Sequence, residues 1–214
     1  MLFAIDIDNT IARDTKNAAL RAYVLRALDM PTDEQALRAW MQNAENAARF
    51  RACCAASETV PEVMGALQPI AGALDGVKQL ARIGTVVYVT CRVPTLHDLT
   101  FEWLTRYGFP TPENPRLCAS YSEKYLRTYE VADSNEPVIL IDDRAEDVVR
   151  AFQFIARNHP DIAMKLIPRL SVVAFNPKEQ RWRMRPPPFP VLILKSWEQE
   201  DLARLIDVAL PTRA

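Results

Sequence analysis

Five short apolar runs rich in β-branched residues, at positions 2–5, 85–90, 138–141, 171–175 and 191–194, constrain this chain more than any other feature. They are apolar along their length rather than alternating, as strands covered on both faces are. Helical periodicity fills most of the intervals. Leu74, Val77, Leu80 and Ala81 form one stripe before Gly84. Leu96, Leu99, Trp103 and Leu104 form another, with Thr95 placed to cap its start and Gly108 to end it. Val148, Val149, Phe152 and Ile155 form a third. Strand and helix in alternation predict an α/β fold: a doubly wound, mainly parallel, Rossmann-like sheet.

The interval from Ile11 to Pro69 breaks this rhythm. It lacks strand signals and carries helical stripes at Leu20, Tyr23, Val24 and Leu28, then at Leu37, Trp40 and Met41 behind a Thr32/Gln35 capping box. The expected organisation is a core of residues 1–12 and 70–214 with a helical insert over 13–69. At 214 residues the chain is long enough to bury roughly 70 to 75% of its unfolded surface, so it needs no structural staples. The segment 181–190, RWRMRPPPFP, is rich in proline and arginine. It reads as a surface connection, with a basic loop facing phosphate as the alternative.

Charge and cysteine usage narrow the function classes. With 26 basic and 27 acidic residues, no global field draws the chain to nucleic acid or to an anionic membrane, although a local basic patch stays open. No apolar run reaches membrane-spanning length, and the start, MLFAIDID, is not that of a signal peptide. Cys53, Cys54, Cys91 and Cys118 lack metal or redox spacing, so free thiols in the cytoplasm are expected, with Cys91 as a small buried residue. Oligomeric state has no signal in the sequence.

Four stretches carry the chemistry. In FAIDIDNTIA a strand runs into Asp6, Asp8 and Thr10. Carboxylates two apart on an extended strand share a face, and the carboxyl end of a parallel strand is where open α/β sheets bind ligands. Capping of a turn or of the next helix is the competing reading. VVYVTCR ends a second strand in Thr90, followed by Arg92, and a threonine there is usually structural. Lys124 lies in the helical segment SEKYLRTYE, where a lysine is ordinarily solvated. VILIDDRAED sends a strand into Asp142 and Asp143, with Asp147 a helical turn beyond. Adjacent acids at a buried strand end repel unless a cation or hydrogen bonds compensate, which suggests a metal site.

In this order and context the four stretches resemble the signature of the haloacid dehalogenase superfamily, in its phosphatase branch, over nearly the whole chain. The resemblance implies Asp6 as nucleophile, Asp8 as general acid/base, Thr90 as a donor to phosphate oxygens and Lys124 as a charge clamp. Thr10 and Arg92 would join Thr90 and Lys124 in binding substrate. Magnesium would sit among Asp6, Asp8, Asp142 and Asp143, with Asp147 as an alternative helper. The insert is similar to a small C1-type cap, from which Arg13, Lys16, Trp40 and Phe50 could touch the leaving group, with packing the commoner role for Trp40 and Phe50. The run LTFEWLTRYGFP, positions 99–110, is similar to patterns in nucleotidases and polynucleotide phosphatases, as is Asn9 in place of a commoner glycine. The activity implied is magnesium-dependent hydrolysis of a small-molecule phosphate ester through an aspartyl phosphate. A polynucleotide 3′-phosphatase, a phosphotransferase and a non-catalytic binding module are the alternatives. Dehalogenases of this fold lack the second aspartate.

Overall fold

Leu2–Ile5, all four side chains buried, forms the strand on which the sheet is built. The computed structural model describes residues 1–13, 18–113, 115–176 and 186–209. In chain order its strands are β1 (Leu2–Ile5), the two-residue β2 (Ala12–Arg13) and β3 (Gln68–Pro69), β4 (Thr85–Thr90), β5 (Arg116–Leu117), β6 (Val138–Asp142), β7 (Leu170–Phe175) and β8 (Val191–Leu194). The helices are α1 (Ala18–Leu28), α2 (Glu34–Gln42), α3 (Ala44–Ser57), α4 (Pro61–Gly65), α5 (Ala73–Ile83), α6 (His97–Tyr107), α7 (Tyr121–Val131), α8 (Ala145–Asn158), α9 (Pro160–Leu166) and α10 (Gln199–Ala209).

Six strands make one sheet in the order β5-β4-β1-β6-β7-β8, and every pairing in it is parallel. This is the α/β doubly wound fold that the apolar runs predict. The chain goes to one side of β1 for β4 and to the other for β6, so the carboxyl end of β1 is a topological switch point, where a crevice opens between diverging connections. Leu2, Phe3 and Ile5 on β1, with Val138, Leu140 and Ile141 on β6, are at most 1% exposed. Burying each such side chain fully is worth about 1.5–3 kcal/mol, which is why these strands carry no polar face.

The chain divides into two units, Met1–Arg13 with Pro69–Ala214, and Asp14–Gln68. Within the second, α1 and α2 each pack on α3. Helix α2 is capped by Asp33, whose side chain accepts the Ala36 N–H, and α3 by Asn43, which accepts from Glu45 and Asn46. The expected Thr32/Gln35 box is therefore displaced by one residue, since a carboxylate is a strong acceptor for a free amide at a helix start. Thr95 does not cap α6 either. Pro94 starts a single 3-10 turn that carries the chain into α6, whose first residue follows Leu96 with no side-chain cap. Gly108 does end α6, in the left-handed conformation at φ 71° that an L side chain resists. Among the described residues no helix is long and apolar enough to cross a membrane.

Candidate active site

Where β1 ends, the Asp6 amide still donates to the Ile141 carbonyl on β6 at 2.9 Å. The chain then folds back on itself. The Ile7 carbonyl accepts from the amides of Thr10, Ile11 and Ala12, and the Asn9 amide donates to Ala12 at 2.8 Å. Asn9 sits at φ 60°. Asparagine is among the few residues with a side chain that tolerate this region, which gives a physical reason for Asn where glycine is the other choice. The turn sends the Asp6 and Asp8 carboxylates to different cations.

Asp6 meets Lys124. Helix α7 starts at Ser120, whose side chain accepts the Glu123 amide while Glu123 accepts the Ala119 amide at 2.7 Å, a pairing that fixes the first turn. Lys124 follows on the face shared with Tyr121, Tyr125 and Thr128. It is 1% exposed, and its Nζ donates to Asp6 Oδ1 at 2.7 Å and to Asp142 Oδ2 at 2.6 Å. The Tyr121 ring centroid lies 5.1 Å from the same ammonium. Asp142 Oδ1 accepts the Arg144 amide at 2.7 Å. Asp6, Asp142 and Asp143 offer oxygens that all lie within 4.8 Å of one another.

This density of acid shifts the protonation equilibria. Burial pushes Asp6 up to about 8, with Lys124 opposing and Asp142 and Asp8 adding to the rise. Burial and the Asp142 charge push Asp143 up to about 7. Burial works against the Lys124 charge, but Asp6 and Asp142 overcome it and hold the ammonium well above its ordinary range. One lysine is too little charge for three clustered acids. An oxygen-rich site short of positive charge is what a hard divalent cation fits.

Asp8 meets Arg92. The guanidinium donates from Nε to both Asp8 oxygens, at 3.0 and 3.2 Å, and from Nη2 to Oδ1 at 2.7 Å. Its Nη1 donates to Thr100 Oγ1 at 3.1 Å, and the Thr100 hydroxyl in turn donates a hydrogen bond to the Leu96 carbonyl at 2.7 Å. Thr10, expected to bind substrate, is fully buried; its hydroxyl accepts the Asp143 amide at 3.1 Å and lies 3.4 Å from Asp6 Oδ2. Thr90, at the end of β4, is 1% exposed with an Oγ1 that has no hydrogen-bond partner among the described residues. Asp147 is outside the acid cluster, paired with Arg144 at 2.7 Å and Arg150 at 3.4 Å.

Cys91 is exposed, contrary to the burial expected of it. Alternation continues past the end of β4, so Thr90 and Arg92 turn in and Cys91 turns out. Lys16 and residues 181–185 of the basic segment lie outside the described residues, while Phe189 packs edge-on to Phe152 at 4.9 Å. One contributor has no motif at all. Trp197, 2% exposed, donates from Nε1 to the Thr10 carbonyl at 2.7 Å and so pins the turn that carries Asp6 and Asp8. Room for it comes from Gly76, where an added Cβ would stand 2.5 Å from Trp197 Cε3. The glycine in the middle of α5 is the signal in the sequence, because it weakens a helix unless something packs against it.

No family model matches the sequence, and no match is found among curated proteins. Solved structures do match. The HAD-hydrolase YfnB from Bacillus subtilis, bound to magnesium, is 16% identical with a TM-score of 0.60, over 96% of this chain and 98% of that one. A HAD-superfamily hydrolase of subfamily IA from Geobacter sulfurreducens is 14% identical with a TM-score of 0.54, over 98% and 96%. A 2-haloacid dehalogenase from Pseudomonas syringae is 17% identical with a TM-score of 0.52, over 95% and 98%. At these identities the likeness is one of fold, and the fold is that of the haloacid dehalogenase superfamily.

Proposed function

We propose that this chain, built on the haloacid dehalogenase fold, is a magnesium-dependent phosphohydrolase that cleaves a phosphate monoester through an aspartyl phosphate on Asp6. The observation that carries the reading is Lys124, a buried ammonium joining Asp6 at the end of β1 to Asp142 at the end of β6. Enzymes speed phosphate-monoester hydrolysis by up to about 10²¹-fold, whereas positioned acid/base catalysis supplies about 10²–10⁴. The remainder has to come from alignment and from charge placed around the phosphoryl oxygens. Lys124 supplies such charge, and the unpartnered Thr90 hydroxyl is a buried donor that a phosphoryl oxygen would satisfy. Asp6, Asp142 and Asp143 would hold magnesium, whose charge would let an anionic carboxylate approach an anionic phosphate.

In this reading an Asp6 oxygen attacks phosphorus, and the bond from phosphorus to the alcohol oxygen breaks as Asp8 gives that oxygen a proton. Asp8 then takes a proton from the water that hydrolyses the acyl phosphate. A second acid also separates this chemistry from carbon–halogen cleavage, since a departing halide needs no proton. The helical unit Asp14–Gln68 is proposed as the cap that selects the leaving group, a nucleotide or other small phosphorylated metabolite. A cytoplasmic location belongs to the same proposal.

The test is turnover of an aryl phosphate with magnesium and with excess chelator. Activity that needs the metal, with a covalent phosphate on the Asp6 peptide by mass measurement, supports the reading. An adduct on any other residue, or undiminished turnover by Asp6→Asn, overturns it.

A further inference from the structure

A carboxylate that gives a proton to a leaving group and later takes one from water must be aimed at the same place twice. Among the described residues, no hydrogen bond within the turn aims the Asp8 carboxylate. The Asp8 side chain is short, 31% exposed and beyond the last paired residue of β1. It also has a rival destination, because its charge is felt by both Asp6 and Asp143 and so it lies close to the acid cluster that attracts cations. Left free, it would be drawn there by Lys124 and any bound metal.

Arg92 removes that freedom. Its side chain is 1% exposed, and protein groups hold the guanidinium on both edges. Two nitrogens of the planar fork are spent on Asp8 and a third on Thr100. A guanidinium that contacts both oxygens of a carboxylate fixes its rotation as well as its position, which a point charge cannot do. Thr100 in turn is locked, its hydroxyl donating to Leu96 one helical turn back. The chain of contacts runs from the backbone of the 3-10 turn before α6, through Thr100 and Arg92, to the carboxylate.

We propose that Arg92 is a positioning residue for Asp8, braced by Thr100, and not a ligand of the phosphate. The role rests on the phosphohydrolase reading above and makes a demand that reading does not. Damage to Arg92 must appear only where the leaving group needs a proton. A residue that binds phosphate, or one that merely supports the fold, acts on good and poor leaving groups alike.

The experiment compares an alkyl phosphate with p-nitrophenyl phosphate in rapid-quench measurements of the first alcohol released, which isolates the step in which Asp8 acts as acid. Arg92→Lys keeps the charge and loses the fork. It should slow release of the alkyl alcohol about 10²-fold and of p-nitrophenol less than about tenfold, with half-saturating substrate shifted less than about threefold. Thr100→Val, close in shape to the wild-type residue, should show the same selectivity at about 3–10-fold. Equal slowing of both esters, a raised half-saturation with unchanged release, or no slowing at all would overturn the role, and Thr100→Val decides alone if Arg92→Lys fails to fold by circular dichroism. Wild-type protein that releases neither alcohol, or that carries phosphate elsewhere than Asp6, would instead refute the parent reading and this role with it.

Discussion

Lys124 and Arg92 are both buried cations beside carboxylates, yet they solve different problems. Lys124, on helix α7, is a compact charge shared between two acids on two strands, Asp6 and Asp142. Arg92, just past β4, gives one edge of its fork to a single acid, Asp8. The lysine balances charge; the arginine fixes orientation. Exposure differs as well: Asp142 is 1% exposed and Asp8 31%, so water already assists the second pair and not the first. In the proposed reading, the centre of the nucleophile and the cation is therefore held by strong mutual attraction, and the centre that would exchange protons with substrate is held by geometry at the edge of solvent.

Breaking the Lys124 side should have the largest effect. Lys124→Ala leaves Asp6 and Asp142 buried without their cation and should cost about 3–5 kcal/mol in urea unfolding, together with loss of the phosphoenzyme. A cost under about 1 kcal/mol would mean that the cluster relaxes by taking up protons and that the contrast with Arg92 is illusory. Arg92→Ala should cost less, about 1–3 kcal/mol, because Asp8 can turn to water.

Metal and pH sharpen the same contrast. Asp6 is raised to about 8 and Asp143 to about 7 from an ordinary 3.8, so the folded chain holds these protons more tightly than the unfolded one. Their contribution to stability is present at low pH and is lost as pH rises from about 4 to about 8. Magnesium competes with those protons, so the rise in Tm it produces should be greater at pH 8 than at pH 5. An equal rise at both would show that the cation binds elsewhere. The smallest effect belongs to Arg127, on the outward face of α7, where it pairs with Glu123 and Glu130. Arg127→Ala should leave both Tm and turnover unchanged, since exposed ion pairs contribute little.

The same two cations mark what the sequence could disclose. Lys124 was not legible as an inward residue from its own helix, where a lysine is ordinarily solvated; the resemblance alone pointed to it, and the structure buries it on one face with Tyr125 and Thr128. The long apolar strands were legible, being too apolar to be anything but covered. Strand β5 was not, since two residues cannot display a period. Nor were the cap of α2, where the choice between neighbouring polar residues depends on backbone angles, and the start of α6, which has no side-chain cap. The Arg92–Asp8 pair, 84 residues apart, leaves no mark in either local pattern, and neither does the turn's dependence on Trp197.

That last contact spans 187 positions, from Thr10 to Trp197. A chain leaving the ribosome at about 5–20 residues per second makes the acid-bearing turn 187 positions ahead of the indole that pins it. The first strand can pair with β4 and β6 well before then. The turn carrying Asp6 and Asp8 acquires this brace after all six strands of the sheet have been made, so a nascent chain stalled ahead of Trp197 would hold those strands around an unfinished candidate site.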